Sequence, residues 1–125
     1  MISLPPSVRI YLYAAPVDGR MGFDALSGLV TSGFGLDPLS GHLFVFFAAR
    51  GRIARILVFD HNGFALYSKR LERGRFALPR QIPEGASHVV IEAADLVLLL
   101  EGIDLRDATR RPRWQPPPRD GAAAA

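Results

Sequence analysis

The stretch from Gly41 to Pro79, GHLFVFFAARGRIARILVFDHNGFALYSKRLERGRFALP, constrains the fold more than any other part of the chain. It holds three apolar runs bounded by Gly-containing turn residues. Short apolar runs bounded in this way read as β-strands. His42–Phe47, Ile53–Phe59 and Phe64–Leu71 are therefore the expected central strands. Asn62-Gly63 is a strong hairpin signal, because a type I′ turn needs positive φ at both central residues. Arg50-Gly51 is a weaker signal of the same kind.

The flanking segments complete an α+β pattern. Val8–Tyr13 reads as a first strand and His88–Ile91 as a late one. Phe23, Leu26, Leu29 and Val30 share one helical face, so residues 21–32 read as an amphipathic helix that Gly33 or Gly35 can end. Ala93–Glu101 reads as a short helix burying Leu96, Leu99, Leu100 and Ile103. Phe76–Leu78 is a candidate extension of the sheet. The expected fold is an antiparallel meander of about four to six strands with two short helices on one face. Residues 1–105 form the expected single domain, and 106–125, rich in Arg, Pro and Ala, the expected disordered tail.

The turn assignments fix an expected register. With Arg50-Gly51 central, Phe46 faces Arg55 and Phe44 faces Leu57. With Asn62-Gly63 central, Phe59 faces Leu66, Leu57 faces Ser68 and Arg55 faces Arg70. One sheet face then carries Leu43, Val45, Phe47, Ala54, Ile56, Val58, Ala65, Tyr67 and Leu71, and is the expected core. The other carries His42, Phe44, Phe46, Arg55, Leu57, Phe59, Leu66, Ser68 and Arg70. Two readings of this second face stand. Aromatics and arginines on an open sheet make a platform on which bases stack. Alternatively, the rings form a second small core layer with the arginine heads reaching out to water.

Composition excludes several classes. At 125 residues the chain is long enough for one core, and 49% hydrophobic with 22% charged is a globular balance. No apolar run approaches the roughly 20 residues of a membrane helix. The N-terminus, MISLPPSVRI, lacks the pattern of a secretory signal, and there is no cysteine, so a cytoplasmic location is expected. Isolated His42, His61 and His88 give no metal-ligand spacing, and Asp24, Asp37 and Asp60 read as helix and turn acids rather than a two-metal trio. No nucleophile elbow or P-loop occurs. Neither enzyme chemistry nor a cofactor is expected.

Charge is segregated. Residues 41–80 carry eight basic and two acidic groups, net +6, whereas 81–105 carry five acidic and no basic groups, net −5. Such segregation either attracts a polyanion or neutralises itself across the fold. Lys69 is the one lysine among fifteen basic residues. Arginine suits phosphate contacts, but a GC-rich gene produces the same bias, so the excess weighs little.

The segments LPPSVRIYLYAAPVDGRMGFDALSGLV, DPLSGHLFVFFAARGRIARILVFDHNGFALYSKRLERGRFALP and LLLEGIDL carry a specific resemblance. They resemble the TnpB accessory-protein family of bacterial insertion sequences of family sixty-six, over most of residues 4–105. Arg20, Gly22, Phe23, Asp24, Gly41, His42, Asp60, Gly63, Glu72 and Gly74 fall on its motifs, with Met21 where the family usually has lysine. The resemblance implies a non-catalytic role in DNA transposition beside a separate transposase.

Two modes of action are expected. In the first, Arg50, Arg52, Arg55, Lys69, Arg70, Arg73 and Arg75 contact DNA phosphates, with Phe44, Phe46 or Phe59 stacking on bases. In the second, the protein is an adaptor that holds the transposase or another protein of the element through the second sheet face and the Val97, Leu98 side of the last helix. A homodimer through an exposed sheet edge fits either mode.

Overall fold

The computed structural model describes residues 7–77 and 83–101. Its elements are β1 (Ile10–Tyr13), α1 (Phe23–Leu29), a π-helical turn (Val30–Phe34), β2 (Leu43–Ala48), β3 (Ile53–Asp60), β4 (Gly63–Arg70), β5 (His88–Ile91) and α2 (Ala93–Leu100). The strands form one sheet in the order β4-β3-β2-β1-β5. The α+β class is as expected, and the sheet is mostly antiparallel, but not a pure meander. β1 pairs parallel with β2, Ile10 opposite Leu43 and Leu12 opposite Val45. Parallel neighbours need a long crossover, and α1 with its π-helical turn supplies it.

Every residue of β2 is buried. A strand apolar on both sides needs cover on both sides, and this corrects the expectation that both helices share a face. α2 packs Leu96 and Leu99 against Ile10, Leu12, Leu43, Val45, Phe47, Ala54 and Ile56. α1 and the π-helical turn pack Leu26, Val30 and Phe34 against Phe44, Phe46 and Leu57 on the reverse side. The second sheet face is thus a second core layer.

The buried stripe of the first helical segment is Leu26, Val30 and Phe34, four residues apart, while Phe23 is 47% exposed. Of the two expected ends, Gly33 and Gly35, the segment stops at Gly35, whose φ is 69°. Gly33 is needed for packing: a Cβ there would lie 3.0 Å from both the Tyr13 ring and Leu29 Cδ1. Phe34 is the hub of this layer. Its ring centroid lies 5.0 Å from Tyr13, 5.4 Å from Phe44, 5.5 Å from Phe46 and 5.3 Å from His88.

The first hairpin has the expected register, Phe44 opposite Leu57 and Phe46 opposite Arg55. The second is shifted by two residues. His61 and Asn62 form the turn, with Asp60 opposite Gly63, so Leu57 faces Leu66, Phe59 faces Phe64 and Arg55 faces Ser68. The shift leaves each side chain on its expected face. It pairs apolar side chains with each other and removes the opposed Arg55–Arg70 pair, and like charges directly opposite destabilise a sheet. Phe76 is buried but belongs to no strand. Leu78, Ile103 and the expected tail lie outside the described residues.

Phe34→Ala should therefore lower stability by about 3–5 kcal/mol. Phe23→Ala should shift it by no more than about 0.5 kcal/mol. Urea unfolding followed by circular dichroism measures both.

Candidate nucleic-acid interface

The link between β2 and β3 is a tight turn in a demanding conformation. Ala49, Arg50 and Gly51 all have positive φ, 53°, 58° and 86°. The Arg52 N–H closes the turn by donating to the Ala49 carbonyl at 3.2 Å. Arg50 and Gly51 are therefore its central residues, as the sequence suggests. Only glycine adopts such φ values at little steric cost, so Ala49 and Arg50 are held there by their surroundings. Two hydrogen bonds from the chain beyond β4 do part of this. Phe76 N–H donates to the Gly51 carbonyl at 2.6 Å and Leu71 N–H to the Arg52 carbonyl at 2.9 Å.

These bonds fold residues 71–76 back over the turn, which gathers basic residues from two parts of the sequence. Arg50 and Arg52 sit in the turn, Arg70 ends β4 opposite Ile53, and Arg73 and Arg75 lie in the returning segment. All five are exposed. Among the described residues Arg20 pairs with Asp18 at 2.9 Å, and His61 Nε2 lies 3.7 Å from Asp60 Oδ1. The five arginines thus have no carboxylate within 4.0 Å among those residues, and they form a basic rim at one end of the sheet. Arg20 differs. Two of its side-chain N–H groups and its backbone N–H donate to the Asp18 carboxylate. These hydrogen bonds hold the Asp18 carboxyl down at about 2 and raise the Arg20 pKa.

The other expected contact residues lie elsewhere. Arg55 is partly buried: Nη1 donates to the Gly19 carbonyl at 2.9 Å, while Nε is buried without a partner. Its guanidinium ties the loop before α1 to β3. Lys69 points to the opposite face, where Nζ donates to the Leu100 carbonyl at 2.8 Å and caps α2. Phe44 and Phe46 are fully buried under α1 and the π-helical turn and offer no ring to a base. Phe59 packs edge-on to Phe64 next to Asp60. It is six residues along β3 from the rim end at Ile53, roughly 20 Å away.

The family-motif residues occupy structural positions. Gly22 caps α1, and Phe23 and Asp24 form its exposed first turn. Gly41 has φ 87°, and His42 Nδ1 accepts from the Arg9 N–H at 3.0 Å. Asp60 and Gly63 bracket the second hairpin turn, and Glu72 and Gly74 lie in the bend after β4.

Sequence reading missed one feature. An open cleft of about 250 Å³ lies beside the rim, lined by Tyr13, Ala15, Pro16, Phe47, Arg50, Gly51 and Phe76. Its walls come from three separate parts of the chain, so no local pattern announces it. Among the described residues no three His, Asp or Glu side chains converge as metal ligands. No helix there is long and apolar enough to cross a membrane.

Residues 8–110 match the family model described as IS66 Orf2 like protein. The chain belongs to this family. Its relatives include two uncharacterized proteins of Sinorhizobium fredii (strain NBRC 101917 / NGR234), y4hO and y4jC. Each is 36% identical over 116 residues, which is 93% of this chain and 96% or 97% of the relative. No solved structure matches. The IS66 Orf2-like family is one of accessory proteins associated with insertion sequences, as the motifs imply.

Two outcomes follow from the geometry. A carboxyl NMR titration should place the Asp18 midpoint at about 2, and Arg20→Ala should return it toward 3.8. Because the folded value is depressed, the stabilisation from this pair is present above pH 3.8 and lost as pH falls through about 2. Arg50→Gly should raise the thermal midpoint slightly, since relief of the left-handed strain outweighs by up to about 1 kcal/mol the entropy that glycine adds to the unfolded chain.

Proposed function

We propose that this chain is a non-catalytic accessory protein for transposition of a bacterial insertion sequence and that it engages DNA through the arginine rim. The carrying observation is the gathering of Arg50, Arg52, Arg70, Arg73 and Arg75 at one sheet end with no carboxylate partner among the described residues. Guanidinium groups bind phosphate oxygens in a bidentate manner. A cluster of them gives an electrostatic footprint for a polyanion. The element's transposase would carry the chemistry, and the rim would hold the DNA for it in the cytoplasm.

The adaptor reading loses the central part of its sheet-face surface, because Phe44, Phe46 and Leu57 are covered by Leu26, Val30 and Phe34. What remains to it is the exposed Val97 with the half-buried Leu98 on α2, and the half-buried Phe59 and Leu66 toward the second hairpin. The DNA reading therefore leads.

Fluorescence anisotropy across a salt series, with element-end DNA and a scrambled duplex, tests it. Five phosphate contacts give a slope of log affinity against log salt of roughly −4.5. Arg70→Glu with Arg73→Glu should abolish binding while the circular dichroism spectrum stays the same. Unchanged affinity in that folded variant would sink the reading, and salt-insensitive capture of the transposase without DNA would replace it with the adaptor.

A further inference from the structure

We propose that the outer edge of β4 is a self-association site: two copies of this chain join there edge to edge and antiparallel, with Tyr67 at the two-fold axis. The proposal stands apart from the DNA reading and does not depend on it.

β4 ends the sheet, and no described residue pairs with its far side. Leu71 N–H donates to the Arg52 carbonyl, on the side of β3. Backbone groups alternate in direction along an antiparallel strand. Phe64, Leu66, Ser68 and Arg70 therefore aim their N–H and C=O groups outward. The segment after β4 does not run along this edge, because Phe76 N–H donates to the Gly51 carbonyl on the inner side. Ala65, Tyr67, Ser68 and Arg70 are all exposed, Tyr67 by 50%.

Folded proteins guard their sheet edges with short strands, bulges, proline or charge. β5, at the other edge, is guarded by its length of four residues. β4 is eight residues long, unbroken in its register with β3 and free of proline. Its one lysine is turned away from the edge, since Lys69 Nζ donates to the Leu100 carbonyl at 2.8 Å. Arg70 stands at the very end of the strand. Residues 64–68 are thus an uncharged stretch whose outward backbone groups have no partner among the described residues.

The occupant follows from the strand's own sequence. Side chains keep their sheet face only if the register moves in steps of two. One antiparallel register of β4 with itself then pairs all four outward-directed residues. It sets Leu66 opposite the second copy's Ser68 and Phe64 opposite the second copy's Arg70. An arginine over a phenyl ring is a favourable contact, and no like charges stand directly opposite. Tyr67 faces Tyr67 at a non-hydrogen-bonded position, where side chains come closest. Charge fits as well. Each basic end of β4 lies toward the second copy's hairpin turn, which carries the exposed Asp60. A parallel pairing would instead set the two arginine rims side by side.

Sedimentation equilibrium of the full chain should give twice the 13.7 kDa chain mass. Ser68→Pro removes an outward N–H and no bond to β3, which an edge strand tolerates. It should keep the circular dichroism spectrum and weaken the dimer on the order of ten-fold or more. The chain has no cysteine, so a single introduced thiol reports the register. Oxidised Tyr67→Cys should form a disulfide-linked dimer, because its Cα atoms would lie about 4.5 Å apart. Ser68→Cys, which faces Leu66 and not its own counterpart, should not crosslink. A monomer overturns the proposal, as does a dimer that folded Ser68→Pro leaves equally tight. Crosslinking of Ser68→Cys in place of Tyr67→Cys overturns it too. A monomer that captures the purified transposase, with capture lost in Ser68→Pro, gives the edge to a foreign strand and overturns self-association.

Discussion

The burial of β2 on both faces is the constraint from which the rest of the structure follows. Leu43, Val45 and Phe47 point one way and Phe44 and Phe46 the other, and all are at most 4% exposed. A strand of this kind cannot lie at an edge or face water. β1 and β3 flank it, α2 covers one side, and α1 with its π-helical turn covers the other. The parallel pairing of β1 with β2 follows, because the chain must cross over a sheet face to bring α1 onto the aromatic layer. Phe34 completes that layer by meeting four aromatic rings at once.

The same arrangement separates structural cations from available ones. Arg55 and Lys69 each bind a backbone carbonyl across a long sequence separation, Gly19 and Leu100 respectively. They join a loop and a helix to the sheet. Arg20 is held by Asp18. The remaining arginines of this region stand at the β2–β3 turn and in the segment hydrogen-bonded to it. No carboxylate lies within 4.0 Å of them among the described residues, and this is the basis on which a polyanionic partner is proposed. The turn that displays them is itself strained at two non-glycine residues, a feature the fold retains at a cost in stability.

Much of this was legible in the chain. The five strands and two helices lie within a few residues of where apolar runs and turn residues place them, since periodicity reports burial directly. The faces of the central strands were also legible, because side chains alternate with a period of two whatever the register. The second hairpin was misread because Asn-Gly is a local turn preference. Cross-strand pairing of Leu57 with Leu66 and Phe59 with Phe64, and the separation of Arg55 from Arg70, outweigh it. The continuous run Leu43–Ala48 did contain the signal that both faces need a helix.

The sequence by itself determined the elements, the charge segregation and the family, because each is written in short stretches of neighbouring residues. Tertiary structure alone decided which basic residues are free and which aromatics are exposed. Arg50 and Arg75 are far apart in sequence and are brought to one end of the sheet by the Phe76–Gly51 and Leu71–Arg52 hydrogen bonds. Phe44 and Phe46 look available until α1 and the π-helical turn are seated over them. The cleft lined by residues around Tyr13, Phe47–Gly51 and Phe76 exists only once three separate parts of the chain are packed together. Local propensity sets what each segment becomes, whereas availability for a ligand depends on what the rest of the molecule covers.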